Sequence, residues 1–395
     1  TASDLTAEHG MITVIAQSVL YGAEAFSTLG ETRVLPDRAI GPAEVRDADA
    51  LVVRSKTPVT EALLEGSRLA FVGTATAGFD HFDLPAIRRR DIGWSAAPGC
   101  NATSVAEYVV SALLALSVQS NLPLAGRSIA VIGVGEVGGR VAARARALGL
   151  RPWLNDPPRA AAEGQAEFRT LDEILPEADM VTLHVPLVDG GPWPTRRMVD
   201  CRFLSRMKPG AIFINASRGE VADESALATA LAHGQVGRAI LDVWDREPDA
   251  DPALVGSVFL GTPHIAGYSW DGKREGTRIV YEQACRFFER APTWRPPTGE
   301  EDSSTRAPEI RMGPEMPART IEEHLWDAVR RVYDVTADDR AYRGGTMDRA
   351  SRARHFEQLR KTYPTRREFA AARVLSDGIS DRLRVVMSGL GFRMG

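Results

Sequence analysis

Residues 128–156 read SIAVIGVGEVGGRVAARARALGLRPWLND, and this stretch decides the fold. The apolar run at 129–132 predicts a buried strand. It stops at Gly133, Gly135 and Gly138, spaced G-x-G-x-x-G, and a helical pattern follows with Val137, Val141, Ala145 and Leu148 on one face. Gly149 ends that helix, residues 152–154 read as a second strand, and Asp156 stands at its end. Each part has a job if a dinucleotide binds here. Gly133 permits the turn, Gly135 lets a pyrophosphate approach the backbone, and Gly138 lets helix and sheet pack closely. The helix N-terminus offers unpaired N–H groups and a partial positive charge to the phosphates. Asp156 would accept hydrogen bonds from the ribose hydroxyls and repel a 2′-phosphate, which favours NAD over NADP. The competing reading is a βαβ unit whose glycines serve packing alone.

Ahead of this fingerprint, short apolar runs alternate with amphipathic segments. ITVIA, TRVLP, ALVVRS, LAFVGTATAG and IGWSAAPG read as strands, and AEAFSTLG, EALLEGS and DLPAIRRRD as helices. The βαβ series implies a parallel, doubly wound sheet. It has no glycine fingerprint of its own and is expected to supply one wall of a cleft. Behind Asn101 a long apolar helix, TSVAEYVVSALLALS, leads into the fingerprint. Beyond Asp156 the alternation resumes with strands at MVTLHVP, AIFINAS, RAILDVW and VFLGT. SWDGKREGTRIVYEQACRFFER then predicts a long helix that returns to the first domain.

The expected domains are a discontinuous 11–103 with 268–290, a dinucleotide domain at 104–267, a Pro- and Gly-rich linker at 291–319 and a last unit at 320–395. That unit shows helices at IEEHLWDAVRRVYDV and FEQLRKTYPTRREF and candidate strands at ARVLS and RLRVVM. An appendage of this kind is often an oligomerisation element, which points to a homodimer. The fold class is therefore α/β: two doubly wound parallel-sheet domains, Rossmann- and flavodoxin-like, plus a small α+β C-terminal dimerisation domain.

The 395 residues are 44% hydrophobic and carry a net charge of −4, so nothing draws the chain to nucleic acid or an anionic membrane. Cys100, Cys201 and Cys285 lie far apart, without C-x-x-C or a His at ligand spacing. This argues against a disulfide framework or a metal site and for a reducing, cytoplasmic location. Residues 1–10, a polar extension, lack the pattern of a signal peptide. The apolar stretch at 105–118 is interrupted by Glu107 and is not expected to span a bilayer. Of 48 basic residues only Lys56, Lys208, Lys273 and Lys361 are lysine. The skew suggests GC-rich coding and lowers the weight of any arginine cluster.

Three stretches follow the ends of predicted strands: INASRGEV around Arg218, LDVWDREP around Glu247 and GTPHIAGY around His264. In an open parallel sheet ligands bind outside the carboxyl ends of the strands. Singly, Arg218 reads as a surface arginine, Glu247 as a solvated acid and His264 as a core histidine. Jointly they are expected to converge on the nicotinamide end of a dinucleotide.

These segments resemble the D-2-hydroxyacid dehydrogenase family, whose members share the fingerprint, an N-A-x-R-G segment, a D-V-x-x-x-E-P segment and a T-P-H segment. A closer likeness, to a branch acting on a phosphorylated acid, rests on VGTATAGFDH (72–81), SAAPGCNA (95–102), DPPR (156–159) and TPHIAGYSWDGKREGT (262–277). YDVTADD and FEQLRKTYPTRRE are similar to that branch's dimerisation domain. The resemblance implies that Arg218 binds the substrate carboxylate and C2 oxygen. It implies that His264 moves the C2 hydroxyl proton while a hydride passes between C2 and the nicotinamide, and that Glu247 orients the imidazole. Gly133, Gly135, Glu136, Val137, Gly138, Asp156, Ala216, Ser217, Asp242 and Gly267 would hold NAD, while Ser55, Thr76 and Tyr268 would contact substrate. No metal is implied.

For the phosphate there are two candidates: Arg54, or a cluster of Arg360, Lys361, Arg366 and Arg367 reaching across a dimer interface. The bland reading of that cluster is a solvated helix face. Two departures bear on substrate choice. Ala16, Gln17 and Ser18 stand where the branch usually carries D-E-N, and Phe79 stands where a smaller polar residue is usual. If these line the cleft, they favour a shorter or less hydroxylated phosphate- or phosphonate-bearing 2-oxo or 2-hydroxy acid. An NAD-sensing interaction protein, like the corepressors that share this fold, is the alternative from another class, and the tail argues against it.

Overall fold

The computed structural model describes residues 10–164, 166–300, 303–316, 318–345, 348–376 and 378–395. The polar extension thus falls almost wholly outside the described residues. The chain divides into two compact units, Thr1–Asn101 with Ser269–Arg306, and Ala102–Tyr268 with Ala307–Gly395.

The first unit holds five parallel strands: β1 (Met11–Ala16), β2 (Gly30–Leu35), β3 (Ala50–Val53), β4 (Phe71–Thr74) and β5 (Gly93–Ser95). Their order, β2-β1-β3-β4-β5, is the flavodoxin-like one. Every residue of β3 and β4 is buried, which is why ALVV and FVGT read as continuous apolar runs rather than alternating ones. The helix Trp270–Phe287 lies on this sheet over two strand glycines. A Cβ on Gly73 would stand 2.4 Å from Val280, and one on Gly93 2.3 Å from the Phe287 ring. The missing side chains are what admit the helix.

The second unit holds six parallel strands: β6 (Ser128–Ile132), β7 (Arg151–Asn155), β8 (Met180–Leu183), β9 (Ala211–Asn215), β10 (Val236–Leu241) and β11 (Leu260–Gly261). They are ordered β11-β10-β9-β8-β6-β7, so the chain changes direction across the sheet between β6 and β8. A bridge from Leu154 to Phe168 extends the edge beyond β7. The register sets Asn155, Ile132, Leu183, Asn215, Leu241 and Gly261 in one row. Whatever follows these residues emerges at one edge of the sheet.

The helix Ala102–Ser120 is buried on nearly every side. Among the described residues it is the one helix long and apolar enough to cross a membrane, but 83% of its apolar window is buried inside the protein. Glu107, the acid that interrupts it, is fully buried and accepts the Phe369 N–H at 2.9 Å.

The same unit holds a third parallel sheet, β12 (Glu309–Met312), β13 (Arg373–Ser376) and β14 (Arg393–Met394). Ile310, Leu325, Val329, Val374, Leu383, Met387 and Leu390 share one core with Ile129, Val131 and Ile214. Strand β12 falls inside the stretch read as linker.

Two local expectations are corrected. RLRVVM is not a strand but part of the helix Asp381–Leu390, capped by the Ser380 hydroxyl and stopped by Gly391 in the left-handed region. FEQLRKTYPTRREF does not stay helical: the helix Arg349–Lys361 ends before Pro364, which has no N–H and disfavours helix at Tyr363. A helix at Val335–Arg343, unread in the sequence, lies between the two helices that were expected.

Candidate active site

The fingerprint loop leaves β6 with Gly133 at φ 82°, and a Cβ there would lie 2.6 Å from the His184 carbonyl oxygen. A Cβ on Gly138 would sit 1.9 Å from the Gly133 oxygen. Both glycines are thus required by the protein's own packing. Gly135 is different: it precedes the helix Glu136–Ala147, and a Cβ there would meet nothing within 4 Å. The space in front of it belongs to no part of the chain. A hollow of about 580 Å³ opens there, lined by Val134, Gly135, Glu136, Arg140, Arg144 and Arg159, among others.

Asp156 receives the Val134 N–H at 2.8 Å and caps the Arg159 N–H at 3.1 Å, so it fixes the loop as well as facing it. Arg159 in turn donates to the Val134 oxygen at 2.7 Å. Loop, helix start and acid fit NAD. Val137 is half-buried against the core, and Glu136 is exposed and paired with Arg140.

Gly135→Ser tests that fit. Serine is a good residue at a helix start, so thermal stability should hold. NAD affinity, measured by calorimetry, should fall at least about tenfold if the open space is the pyrophosphate's.

After β9, Asn215 organises the next loop. Its Oδ1 accepts the Ser217 N–H at 3.0 Å and hydroxyl at 2.8 Å, and its Nδ2 donates to the Arg218 oxygen at 2.9 Å. Arg218 is half-buried and donates to the Ser217 oxygen at 2.8 Å. Ala216 is half-buried at the strand end. Gly219 admits the Trp244 backbone, which a Cβ would meet at 2.0 Å.

After β10 and β11 the chain builds a network around Asp242, which is 1% exposed. Its carboxylate accepts the Thr262 hydroxyl at 2.7 Å and the Ile265 and Ala266 N–H groups at 2.8 and 2.9 Å. Thr262 also meets the buried Tyr108 hydroxyl at 2.9 Å, and its oxygen accepts the Trp244 indole N–H at 2.9 Å. The loop so held carries His264 at φ 55°, with its Nδ1 2.7 Å from Glu247 Oε2. Glu247 Oε1 accepts the Trp244 N–H at 3.0 Å. Burial pushes the Glu247 carboxyl up, but the His264 ring, its hydrogen bond and the Trp244 N–H outweigh it and hold the carboxyl below its ordinary value. Glu247 is therefore ionised at neutral pH. It holds one nitrogen of His264 and leaves Nε2 as the other, on a side chain 33% exposed.

A second histidine at a strand end serves differently. Burial pushes His184 down to about 3, so it is a neutral group held by the Thr182 hydroxyl at 2.9 Å.

Gly267 and Tyr268 follow directly and are half-buried. Tyr268 lies edge-on to Tyr363 at 5.7 Å, and the Arg360 guanidinium stands 5.6 Å from the Tyr268 ring centre. Arg360 also lends its charge to Glu247. The C-terminal segment thus brings one cation to this site.

The rest of the expected basic cluster does not share one environment. Arg366 is 4% exposed, donates to the Ala266 oxygen at 3.0 Å and the Ser104 oxygen at 2.6 Å, and stacks 3.5 Å over Tyr333. Arg367 is also buried, and Lys361 is exposed.

In the first unit, Arg54 follows β3 and donates to the Ala75 oxygen at 3.0 Å, and Ser55 is exposed. Thr76 follows β4 and bonds the Thr74 hydroxyl and the Gly78 oxygen. Of the departures, Ala16 is buried in the core and lines no surface, Gln17 is exposed and Ser18 is tied to Asp37. Phe79 is 41% exposed and leans on Trp94.

Residues 115–266 match the family described as D-isomer specific 2-hydroxyacid dehydrogenase, NAD binding domain, and residues 310–390 match a domain described as of unknown function. Erythronate-4-phosphate dehydrogenases of Citrobacter koseri and Salmonella arizonae are each 43% identical over 96% of this chain and 97% of theirs. The chain belongs to the D-2-hydroxyacid dehydrogenases. Within them it falls in the erythronate-4-phosphate dehydrogenase branch, to which the four quoted segments point. It is an NAD-dependent oxidoreductase acting on CH–OH groups, and the corepressor-like alternative falls away. Among solved structures, D-lactate dehydrogenase from Aquifex aeolicus in complex with NAD and lactic acid is 25% identical, with TM-score 0.58, covering 70% of this chain and 95% of that one. TT0316 protein from Thermus thermophilus is 26% identical, with TM-score 0.60, covering 71% and 98%.

Asn215, Thr262, Trp244 and Tyr108 had no assigned role in the sequence reading. Asn215, Trp244 and Thr262 lie inside quoted segments, so the signal was present and unused. Tyr108 lay in an apolar helix that carried none.

Proposed function

We propose that this dehydrogenase acts at C2 of a phosphorylated 2-hydroxy acid, 4-phosphoerythronate, and that the His264–Glu247 pair moves the proton. The observation that carries the mechanism is the 2.7 Å bond from His264 Nδ1 to Glu247. With the Nδ1–H donated in a hydrogen bond to the ionised carboxylate, Nε2 is the basic nitrogen and takes the C2 hydroxyl proton as the 2-oxo acid forms. Bound at the fingerprint loop, NAD would supply the acceptor for the C2 hydride. Arg218 holds the substrate carboxylate and the C2 oxygen, where its planar fork suits two parallel bonds. Gly133, Gly135 and Gly138, with Glu136, Val137, Asp156, Ala216, Ser217, Asp242 and Gly267, hold NAD. Ser55, Thr76, Tyr268 and Arg54 hold substrate. The same chemistry on a shorter phosphate- or phosphonate-bearing acid is the second reading, favoured by the exposed Phe79.

The 320–395 unit is proposed as the homodimer contact. Val385 is 70% exposed on its last helix, which supports the assignment. A reducing cytoplasm suits the free thiols of Cys100, Cys201 and Cys285.

Following NADH absorbance against 4-phosphoerythronate and a panel of phospho- and phosphono-2-hydroxy acids tests the reading. 4-Phosphoerythronate is expected to give the highest kcat/KM. A higher value for a shorter phosphonate acid would give the second reading its place.

A further inference from the structure

Three cations of the first unit gather beyond the carboxyl ends of β3 and β4. Arg54 follows β3 directly, Lys56 lies two residues on, and Lys273 stands in the first turn of the helix Trp270–Phe287. Close backbone contact brings helix and loop together. A Cβ on Gly276 would lie 2.7 Å from the Ala75 carbonyl oxygen, and Arg54 donates to that same oxygen at 3.0 Å. Lys273 precedes Gly276 by three residues and so shares its helix face. The Thr57 N–H closes a turn on the Arg54 oxygen at 3.1 Å, and the Thr57 hydroxyl ties it to the Asp37 oxygen at 2.9 Å. Lys56 is held within that turn. All three cations are half-buried. Burial, and then the charges of Arg54 and Lys56, push the Lys273 ammonium down to about 8.

Half-buried like charges set close together repel one another. Perturbed groups of this kind mark functional sites. Composition adds a separate argument. The chain has four lysines among 48 basic residues, and two of the four stand in this cluster. An ammonium is a compact point charge with three donors, suited to the oxygens of a tetrahedral dianion. The helix N-terminus adds its partial positive charge. We propose that Arg54, Lys56 and Lys273 form the subsite for the distal phosphate or phosphonate of the substrate. This rests on the reading of the substrate as a phosphorylated 2-hydroxy acid. It takes the place of the 360–367 cluster, whose Arg366 is buried on backbone oxygens, and gives Lys56 and Lys273 a role that sequence spacing did not show.

Inorganic phosphate and sulfate are the probes. Both are expected to compete with 4-phosphoerythronate, and Lys273→Met or Lys56→Met should raise their inhibition constants about tenfold or more. Each variant should also lower the ratio of kcat/KM for 4-phosphoerythronate over erythronate by about tenfold, mostly through KM. Lys273→Arg, which keeps the charge, should restore most of that ratio. A structural role would depress both substrates together and leave the ratio unchanged, and that result overturns the proposal. Calorimetric titration of the NAD-loaded enzyme with phosphate separates the two readings. If 4-phosphoerythronate is not turned over but phosphate binds and Lys273→Met abolishes binding, the subsite stands and the substrate reading falls. Phosphate binding unaffected by Lys273→Met and Lys56→Met, or absent from the unaltered enzyme, refutes the subsite.

Discussion

His264→Ala is expected to lower kcat by about 10²–10⁴-fold, the usual worth of a positioned general acid–base, with NAD affinity nearly unchanged. At these strand ends neither His184 nor Glu247 offers a second base. His184 is neutral and buried, and Glu247 is occupied by the Trp244 N–H and the His264 ring. The backbone position has its own demand, since His264 lies at φ 55° and donates its N–H to the Asp242 oxygen at 2.7 Å. Alanine tolerates that region poorly, at a cost of roughly 1–2 kcal/mol. Asparagine visits it more readily, so His264→Asn separates lost chemistry from backbone strain. Both variants should lose turnover alike, while alanine alone loses thermal stability. Steady-state NADH formation and NAD fluorescence titration read the two effects. Full activity in either variant would remove His264 from the mechanism.

That His264, Arg218 and Gly133 were legible at all follows from the sheet. Parallel strands buried on both faces read as plain apolar runs, and all end at one edge. The row from Asn155 to Gly261 makes the residue after each run a neighbour of the others. Linear order along the chain thus translates into position in space. Arg360 had no such translation. It reaches Tyr268 and Glu247 from a helix about a hundred residues away, and its sequence context showed only a basic patch. Arg366 failed for a related reason: a guanidinium buried on the Ala266 and Ser104 oxygens looks, in sequence, like any other arginine.

RLRVVM was misread on its adjacent Val385 and Val386. What prevails is the spacing of Leu383, Met387 and Leu390, which lie on one helical face and are fully buried there. Lys273 sat inside a quoted segment, yet its partners Arg54 and Lys56 lie more than two hundred residues earlier.

Asp242→Asn is expected to lower both stability and turnover, although it changes one atom. The buried carboxylate accepts three hydrogen bonds, from the Thr262 hydroxyl and the Ile265 and Ala266 N–H groups. An amide has one acceptor oxygen. Placed at Oδ1, it leaves an NH₂ facing the Ala266 N–H. Turned the other way, the NH₂ faces Ile265 and Thr262 instead. Thr262 can redirect its hydroxyl hydrogen to Tyr108, 2.9 Å away, so the backbone N–H groups bear most of the loss. Orphaning one of them costs about 1–3 kcal/mol, and converting the remaining charge-assisted bonds to neutral ones adds a similar amount. A total of about 2–6 kcal/mol corresponds to a fall in Tm on the order of 10 °C for a unit of this size. The loop that relaxes carries His264, and a misplacement on the order of 1 Å is worth about 10²-fold in rate. Thermal unfolding followed by circular dichroism and kcat measured below the new Tm should therefore fall together. A variant with an unaltered Tm would show that Asp242 does not anchor the loop. One that lost stability but kept full turnover would show that His264 does not depend on that anchor.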